Sequence, residues 1–244
     1  FFIRQSFTLP VDVQMKSLDS ALVILSKELN GNFTLSDIKK SLNTVILVSK
    51  FDHCLNDLLF RVRNNALNVN VKAIVSNHEN SREIAKFANI PFYFLPVNKS
   101  NKLDQEKKIK TIIDENDIQL IVLARYMQIL SEGFTDIFQG KIINIHHSFL
   151  PSFKGAKPYH QAFERGVKVI GATAHYVTKD LDEGPIIEQD TQIVDHEMMP
   201  DDLVSMGQDI ETRVLYRALK AHSESRVFLN GKRTVVFKGY RKLI

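Results

Sequence analysis

The segment INIHHSFLPSF, residues 143–153, places an asparagine and two histidines at the end of an apolar run and then introduces a proline. Side chains alternate between the two faces of a β-strand. If residues 141–146 form a strand, Asn144 and His146 point to one side and His147 points to the other. The segment therefore brings one amide and one imidazole to a common point, and it does not bring two adjacent histidines to a metal ion.

Two more polar side chains follow this segment. His175 lies within the small, apolar stretch GATAHYVT, and Asp182 lies in DLDEGPII, where a Gly-Pro pair beginning at Gly184 favours a tight turn. An amide, two imidazoles and a carboxylate around a cleft suit acyl chemistry. Asn144 and a protonated His146 can donate to the oxyanion that forms when a carbonyl is attacked. Asp182, alone or through His175, can order the attacking group and accept its proton.

Each of these residues also has an ordinary structural interpretation. On residue type alone, His175 is more often a satisfied core histidine than a catalyst, and Asp182 before a glycine is more often only part of a turn. His147 and His160 are interpreted as structural or substrate-loop residues. No serine or cysteine lies beside a base in an elbow-like turn, so a covalent nucleophile is not expected. A zinc site is conceivable, but its ligands would have no recognised spacing in the sequence. The candidate ligands are His146, His160, His175 and Asp182.

Composition narrows the classes of function. The chain has 244 residues, of which 44% are hydrophobic and 25% charged, as in a globular protein of one or two domains. The net charge of +4 is scattered, without the basic stripe of a nucleic-acid-binding protein, and it suits an anionic small molecule. Cys54 is the single cysteine, which excludes internal disulfides and favours a reducing cytoplasm. No signal peptide and no membrane-length apolar run is recognisable, so no membrane partner is expected.

After residue 43 the pattern alternates between strands and helices. TVILVS, VNVKAIVS, PFYFLPV and IQLIVLA read as strands, with a helix capped by Asp52 after the first of them. A later helix carries apolar positions at Leu103, Ile109, Ile112 and Ile113. This alternation predicts an α/β fold with an open, mostly parallel, twisted sheet of Rossmann-like type. Ligands in such sheets bind beyond the carboxyl ends of the strands, where RYMQILS lies.

The last hundred residues contain more strands and one long helix. KIINIHH, VIGATAHYVT and PIIEQDTQIV read as strands, and a hairpin is predicted to turn at Asn230-Gly231. The long helix, DDLVSMGQDIETRVLYRALKAH, has an apolar face. The residues assigned to that face are Leu203, Met206, Ile210, Val214, Leu215 and Leu219.

The first forty or so residues form a separate predicted unit. FFIRQSFTL has strand character, SLDSALVILSKEL has helical spacing, and GNFTLSD suggests a short strand. The polar cluster SDIKKSLN is the best boundary, which predicts domains at residues 1–42 and 43–244. A strand, a helix and a strand cannot close a core alone, and the chain starts with Phe1. We therefore expect that the natural beginning of the protein precedes this sequence.

A resemblance gives these patterns a common interpretation. Residues 144–190, together with VSKFDHCLNDLL, VSNHEN, LARYMQILS, GAKPYHQA and RTVVF, resemble the folate-dependent formyltransferase family over roughly residues 43–237. The finer likeness is to members that hydrolyse 10-formyltetrahydrofolate. It implies formate production for purine biosynthesis, with the folate as substrate and no metal or other cofactor. Residues 1–42 resemble the end of an α+β, ferredoxin-like ACT regulatory domain, which implies a homo-oligomer.

The resemblance also assigns roles to residues of this chain. The residues implied to be catalytic are Asn144, His146, His175 and Asp182. Those implied to bind the folate are Met127, Gln128, Ile129, Leu130 and Gly184. Gln128 departs from the arginine that is usual in the glycinamide ribonucleotide transformylases of the family, so contacts to the glutamate tail of the folate are expected to differ.

Three alternative functions can be distinguished from hydrolysis of the folate. The transformylases open their first strand-to-helix turn with a glycine- and serine-rich loop that binds the phosphate of the acceptor. The same turn here, SKFDHCLND, has no glycine; Asp52 places a carboxylate there and Phe51 is expected to fill space, so water is the expected acceptor. Methionyl-tRNA formyltransferases normally carry an additional C-terminal domain that binds tRNA. An amino-acid-sensing ACT protein would bind without catalysis, and release of formate distinguishes it.

Overall fold

The computed structural model describes residues 1–151 and 158–239. The chain divides into two compact units, residues 1–40 and 41–244. The boundary predicted from the sequence, between residues 42 and 43, lies two residues further along the chain. The parts of the resemblance that fall on residues 152–157, and the last five residues of the chain, lie outside the described residues.

The first unit contains one helix, α1 (Met15–Glu28), and none of its residues is buried. The helix agrees with the sequence pattern, but the two predicted strands on either side of it do not form within residues 1–40. A strand is stabilised by hydrogen bonds to a neighbouring strand. Neither segment finds such a neighbour here, so the assignment of this unit to an ACT domain stays a prediction.

The second unit contains a seven-stranded sheet and a separate two-stranded hairpin. Its strands are β1 (Leu42–Val48), β2 (Val69–Ser76), β3 (Phe92–Phe94), β4 (Leu120–Ala124), β5 (Ile142–His146), β6 (Val169–Tyr176), β7 (Ile186–Ile193), β8 (Val227–Asn230) and β9 (Arg233–Val236). Its helices are α2 (His53–Arg63), α3 (Arg82–Phe87), α4 (Lys102–Glu115), α5 (Glu132–Ile137), α6 (Pro158–Glu164) and α7 (Pro200–Ser223).

The large sheet has the strand order β3-β2-β1-β4-β5-β6-β7. The pairings from β3 to β5 are parallel, whereas β5 with β6 and β6 with β7 are antiparallel. The predicted open and mostly parallel sheet is therefore confirmed. Strand β5 is where the parallel part of the sheet meets the antiparallel part.

Helices cover both faces of this sheet, which explains why its central strands are apolar throughout. Ile46 and Val48 of β1 belong to a core cluster with residues of α2 and α7. Val45 and Leu47 point to the opposite face and pack in a second cluster with Ile109 and other residues of α4. Because side chains alternate along the strand, β1 thus contributes to two hydrophobic cores, one on each face of the sheet.

The start of α4 differs from the prediction. Leu103 is 64% exposed, whereas Gln105 and Glu106 are buried. The carboxylate of Glu106 accepts hydrogen bonds from the backbone N–H of Ser131, at 2.8 Å, and from its hydroxyl. Glu106, which contacts the start of α5, is therefore buried at this end of the helix, whereas the apolar pattern predicted that Leu103 would be buried. The predicted cap of α2 also differs, because Asp52 occupies the N-cap position without a side-chain hydrogen bond to the helix.

The C-terminal elements agree with the sequence pattern. On α7 the predicted apolar face is buried, except that Met206 is only partly buried. The β8–β9 hairpin turns at Gly231, whose φ of +62° is the left-handed conformation that glycine tolerates best. Among the helices of the described residues, none combines the length and the apolar composition that crossing a membrane requires.

Candidate active site

The pairing of β5 with β6 brings the first two candidate residues together. Asn144 is the register partner of His175 across the two strands. The amide nitrogen of Asn144 lies 3.2 Å from Nε2 of His175. His146 follows on the same face of β5, two residues nearer the carboxyl end of the strand, as the alternation of side chains predicts.

Asp182 reaches this point from the loop between β6 and β7. One of its carboxylate oxygens lies 3.2 Å from Nδ1 of His146, and the other lies 3.6 Å from Nε2 of His175. The Asp182 backbone is left-handed, with a φ of +56°. A Cβ atom on Gly184 would lie 1.7 Å from the carbonyl oxygen of Tyr176, so only glycine lets this loop lie so close to β6.

The hydrogen bonds assign the protons of the two imidazoles. Nδ1 of His175 lies 2.9 Å from the carbonyl oxygen of Tyr176, and since a carbonyl only accepts, Nδ1 carries the proton. Nε2 of His175 faces both the amide nitrogen of Asn144 and, at 3.6 Å, the Asp182 carboxylate, so it accepts from the amide or, in an imidazolium, donates to the carboxylate. A carboxylate likewise only accepts, so His146 donates from Nδ1 to Asp182.

This arrangement leaves one atom without a partner. Nε2 of His146 is buried and has no hydrogen bond to any residue that the structure describes. Buried polar atoms in folded proteins nearly always have a partner, so such an atom requires an explanation. Because Nδ1 carries the proton, Nε2 is an acceptor, and a donor such as a water molecule can supply the missing hydrogen bond.

The charge of Asp182 is set by the two histidines. Burial acts to raise the pKa of this carboxyl group, but His146 and His175 together lower it well below its ordinary value. Asp182 is therefore a carboxylate at neutral pH and a weak base. The four candidate residues are brought together by the fold, whereas their catalytic roles stay predictions.

The residues predicted to bind the folate lie partly around one cavity. Gln128, Ile129 and Leu130 line a small, open cavity of about 10 Å³ beside α4. Met127 is 51% exposed and, like Gly184, is not part of that lining. A cavity of this size has room for about one water molecule, so it is not by itself a folate pocket. The binding roles of these five residues stay predictions.

A second polar cluster, which we call the Glu211 cluster, consists of His53, Arg125, Tyr159 and Glu211. Glu211 lies on α7 and its side chain is 1% exposed. Its carboxylate is 2.7 Å from Nε2 of His53, 2.8 Å from the hydroxyl of Tyr159 and 3.4 Å from Nε of Arg125. Burial acts to raise the pKa of Glu211, but the hydrogen bond to His53 and the charge of Arg125 lower it. None of the residues of this cluster was predicted from the sequence to form a common site.

The ligand atoms of His53, Cys54 and Glu211 all lie within 4.8 Å of one another, a spacing that a metal ion could use. However, the Glu211 carboxylate is already bonded to three neighbours. Burial raises the pKa of the Cys54 thiol well above its ordinary value, so the thiolate that binds metals is disfavoured. These contacts fit an ion-paired cluster better than a metal centre. Among the described residues, the zinc set considered from the sequence forms no comparably close group.

His147 lies between the two clusters. Its ring centroid is 5.1 Å from that of His146 and 6.3 Å from that of Tyr159. Burial, and then the positive charge of Arg125, lower the pKa of His147 to about 3, so this imidazole is neutral at physiological pH. Phe51, at the turn before α2, is 47% exposed with its ring 5.7 Å from the guanidinium carbon of Arg125, and its expected filling of the acceptor space stays a prediction.

Comparisons with known proteins agree with this architecture. The profile of the formyl transferase family matches residues 42–219. Formyltetrahydrofolate deformylase of Corynebacterium sp. (strain P-1) is 47% identical over 224 residues, which are 92% of this chain and 78% of that protein. The crystal structure of a formyltetrahydrofolate deformylase from Pseudomonas putida KT2440 superimposes with a TM-score of 0.90 at 47% identity, covering 95% of this chain and 82% of that one.

A transformylase is more distant. The crystal structure of glycinamide ribonucleotide transformylase 1 from Symbiobacterium toebii is 27% identical, with a TM-score of 0.77 over 85% of this chain and 98% of that one. The sheet is thus shared across the family, while sequence identity is markedly higher to the deformylases. From the profile match and these similarities we conclude that the chain belongs to the formyl transferase family, in its group of formyltetrahydrofolate deformylases.

Proposed function

We propose that this chain hydrolyses 10-formyltetrahydrofolate to formate and tetrahydrofolate. The observation that carries the proposal is the buried and unpartnered Nε2 of His146, whose ring is held through Nδ1 by Asp182 and shares a face of β5 with Asn144. The names of the similar proteins support the substrate. An imidazole with one free nitrogen, an amide donor and an orienting carboxylate are the groups that hydrolysis of a formyl group requires.

In the proposed reaction, a water oxygen bonds to the formyl carbon while Nε2 of His146 takes one water proton. Asp182 holds Nδ1–H of the imidazole and stabilises the imidazolium that forms. Asn144 has two amide N–H groups; one faces His175, and the other can donate to the oxyanion. The bond between the formyl carbon and N10 then breaks. His146 returns its proton to N10, and the other water proton leaves with the formate product.

These roles differ in three respects from those expected from sequence, which assigned oxyanion donation to His146 and the ordering and deprotonation of the attacking group to Asp182 with His175. The proton acceptor is His146 rather than Asp182. The carboxylate of Asp182 is already bonded to His146, and its lowered pKa makes it a poor base. Asp182 therefore acts through His146 by fixing the tautomer, and His175 orients Asn144.

Water as the acceptor is supported by the turn between β1 and α2. This turn lacks glycine, and Asp52 occupies the N-cap of α2, where an acceptor phosphate would meet a like charge. The experiment measures formate released from 10-formyltetrahydrofolate, with and without glycinamide ribonucleotide. We expect formate at the same rate in both. Faster loss of the formyl group with the amine, accompanied by a formylated product, would identify a transformylase instead.

The remaining parts of the proposal concern the cell and the assembly. We propose a cytoplasmic enzyme that needs no further cofactor, with formate serving purine synthesis, and a homo-oligomer formed through the first unit. The free, buried Cys54 is consistent with a reducing compartment. Apolar residues of the first unit, such as Ile24 and Leu29, are exposed and could be covered by another subunit. Light scattering of the purified chain tests the assembly, and a monomeric mass would contradict it.

A further inference from the structure

The backbone of Arg125 is strained. Arg125 directly follows β4 and has a φ of +63°. Every other non-glycine residue of the described chain with positive φ is asparagine, aspartate or serine. Short polar side chains tolerate this conformation, whereas for a long side chain it is an outlier that costs about 1–3 kcal/mol.

Hydrogen bonds connect this strained turn to the residues that follow two other strands, β1 and β2. The backbone N–H of Ser49, just after β1, donates to the carbonyl oxygen of Arg125 at 3.3 Å. The backbone N–H of Met127 donates to the hydroxyl oxygen of Ser49 at 2.9 Å, and that hydroxyl donates to Asn77 after β2 at 2.7 Å. Residues 127–130 therefore leave the sheet along a path that begins at Arg125.

The side chain of Arg125 points into the Glu211 cluster. Arg125 is 9% exposed, and its Nη1 and Nε lie 3.5 Å and 3.4 Å from the two carboxylate oxygens of Glu211. Burying an ion pair is seldom more stable than packing apolar groups of the same size. The pair is thus poorly explained by stability alone.

A third unfavourable feature supports the same cluster. Gly207 lies within α7, where glycine costs about 1 kcal/mol relative to alanine. A Cβ atom there would lie 2.1 Å from the ring of Tyr159. The glycine lets Tyr159 pass the helix and reach Glu211 with its hydroxyl.

We propose that Arg125 is a positioning residue, whose ion pair with Glu211 holds the strained turn and thereby places residues 127–130 against the folate. The inference rests on the proposed function, because it takes the folate to be the ligand of this segment. Strain that persists in a fold is concentrated where it serves a site. Here the strained backbone and the buried ion pair both belong to Arg125, which leads into residues 127–130. Gly207 makes room for Tyr159, which contacts the same carboxylate of Glu211.

The test separates positioning from stability. Arg125→Gly removes the guanidinium but keeps a residue that favours positive φ, and Glu211→Gln added to it removes the unpaired charge while keeping an acceptor for Tyr159. We expect the double variant to melt near the wild-type temperature. We also expect it to bind tetrahydrofolate about ten-fold more weakly, a loss of about 1.4 kcal/mol. In turnover, KM for 10-formyltetrahydrofolate should rise more than kcat falls.

Two further variants complete the experiment. Arg82→Gly with Glu79→Gln removes an exposed ion pair on the surface and should leave the folate Kd unchanged. Tyr159→Phe deletes one hydroxyl from the Glu211 cluster and should weaken folate binding in the same direction, even if the double variant does not fold. A wild-type Kd in either cluster variant would overturn the proposal. Wild-type chain that binds tetrahydrofolate but releases no formate would instead contradict the proposed function and leave this inference standing.

Discussion

Two polar clusters flank the end of β5, and they differ in how their buried polar atoms are paired. The cluster of Asn144, His146, His175 and Asp182 leaves one imidazole nitrogen without a partner. In the Glu211 cluster, the carboxylate is contacted by an imidazole, a hydroxyl and a guanidinium. Nε of Arg125 makes no hydrogen bond there, but it lies 3.4 Å from the carboxylate in an ion pair. Burial of polar groups alone therefore does not mark a reactive site in this chain. The first cluster, which we call the unfilled cluster because of its imidazole nitrogen, is suited to act on a ligand, and the paired charges of the Glu211 cluster are suited to hold the backbone.

The largest expected effect comes from breaking the unfilled cluster. His146→Ala removes the proposed proton acceptor and should lower kcat about 10³-fold, within the range of about 10²–10⁴ for general acid–base groups. Tetrahydrofolate binding should stay near wild type, because the imidazole is directed at the formyl group. Formate release and a folate titration measure the two quantities.

Asp182→Asn sharpens this result, because it keeps the shape of the side chain and removes the charge that fixes the tautomer. Turnover should fall, though less than in the alanine variant of His146. Turnover of the asparagine variant at the wild-type rate would show that Asp182 does not orient the imidazole.

Changes in the Glu211 cluster should affect the stability of the fold. Glu211→Leu leaves Arg125 buried without its carboxylate and should lower the free energy of unfolding by about 3–5 kcal/mol. Glu211→Gln keeps an acceptor for the Tyr159 hydroxyl and should cost less. Urea unfolding measures both, with Glu132→Leu on the surface as the control, for which a change within about 0.5 kcal/mol is expected. Equal losses in the leucine variants of Glu211 and Glu132 would argue against the ion pair.

The smallest effect is a pH dependence that belongs to neither cluster. Burial lowers the pKa of His222 to about 4, and its Nδ1 lies 2.7 Å from the hydroxyl of Tyr176. Below pH 6.5, the ordinary pKa of histidine, His222 binds a proton in the unfolded chain but stays neutral in the folded chain. The free energy of unfolding therefore falls as the pH drops from 6.5 towards 4.

Between pH 7 and pH 5.5, His222→Gln should reduce the loss of unfolding free energy by about 1 kcal/mol, since each pKa unit corresponds to about 1.4 kcal/mol. Chemical denaturation at the two pH values measures the difference. His78→Gln, in an exposed position, is the control. An unchanged pH dependence in the His222 variant would assign the acid sensitivity to other buried groups, such as His147.

Local patterns predicted most of the fold and the unfilled cluster. The alternation of strands and helices gave the parallel sheet, and the two-residue period of β5 placed Asn144 and His146 on one face. The strands predicted in residues 1–40 failed because pairing is non-local, and an extended apolar segment carries no information on whether a neighbour exists. At Leu103 a specific hydrogen bond between Glu106 and Ser131 outweighed the apolar pattern.

The Glu211 cluster was only partly readable from the sequence. Glu211 interrupts the buried face of α7, one residue after Ile210 and three before Val214, and a carboxylate in such a stripe signals a buried partner. The positive φ of Arg125 carries no comparable signal, because arginine is not a residue type that marks left-handed backbone. The passage of Tyr159 over Gly207 joins two distant segments and emerges only when the chain is folded.

The contact of Gly184 with β6 has a consequence for how this enzyme can vary. The space between this residue and the strand is less than the thickness of a methyl group. Any larger side chain must lift the loop, and with it the carboxylate of Asp182, away from β6. Under the proposed mechanism, Gly184 thus limits which sequences keep the proton transfer to His146, although it is not assigned to touch the reacting atoms.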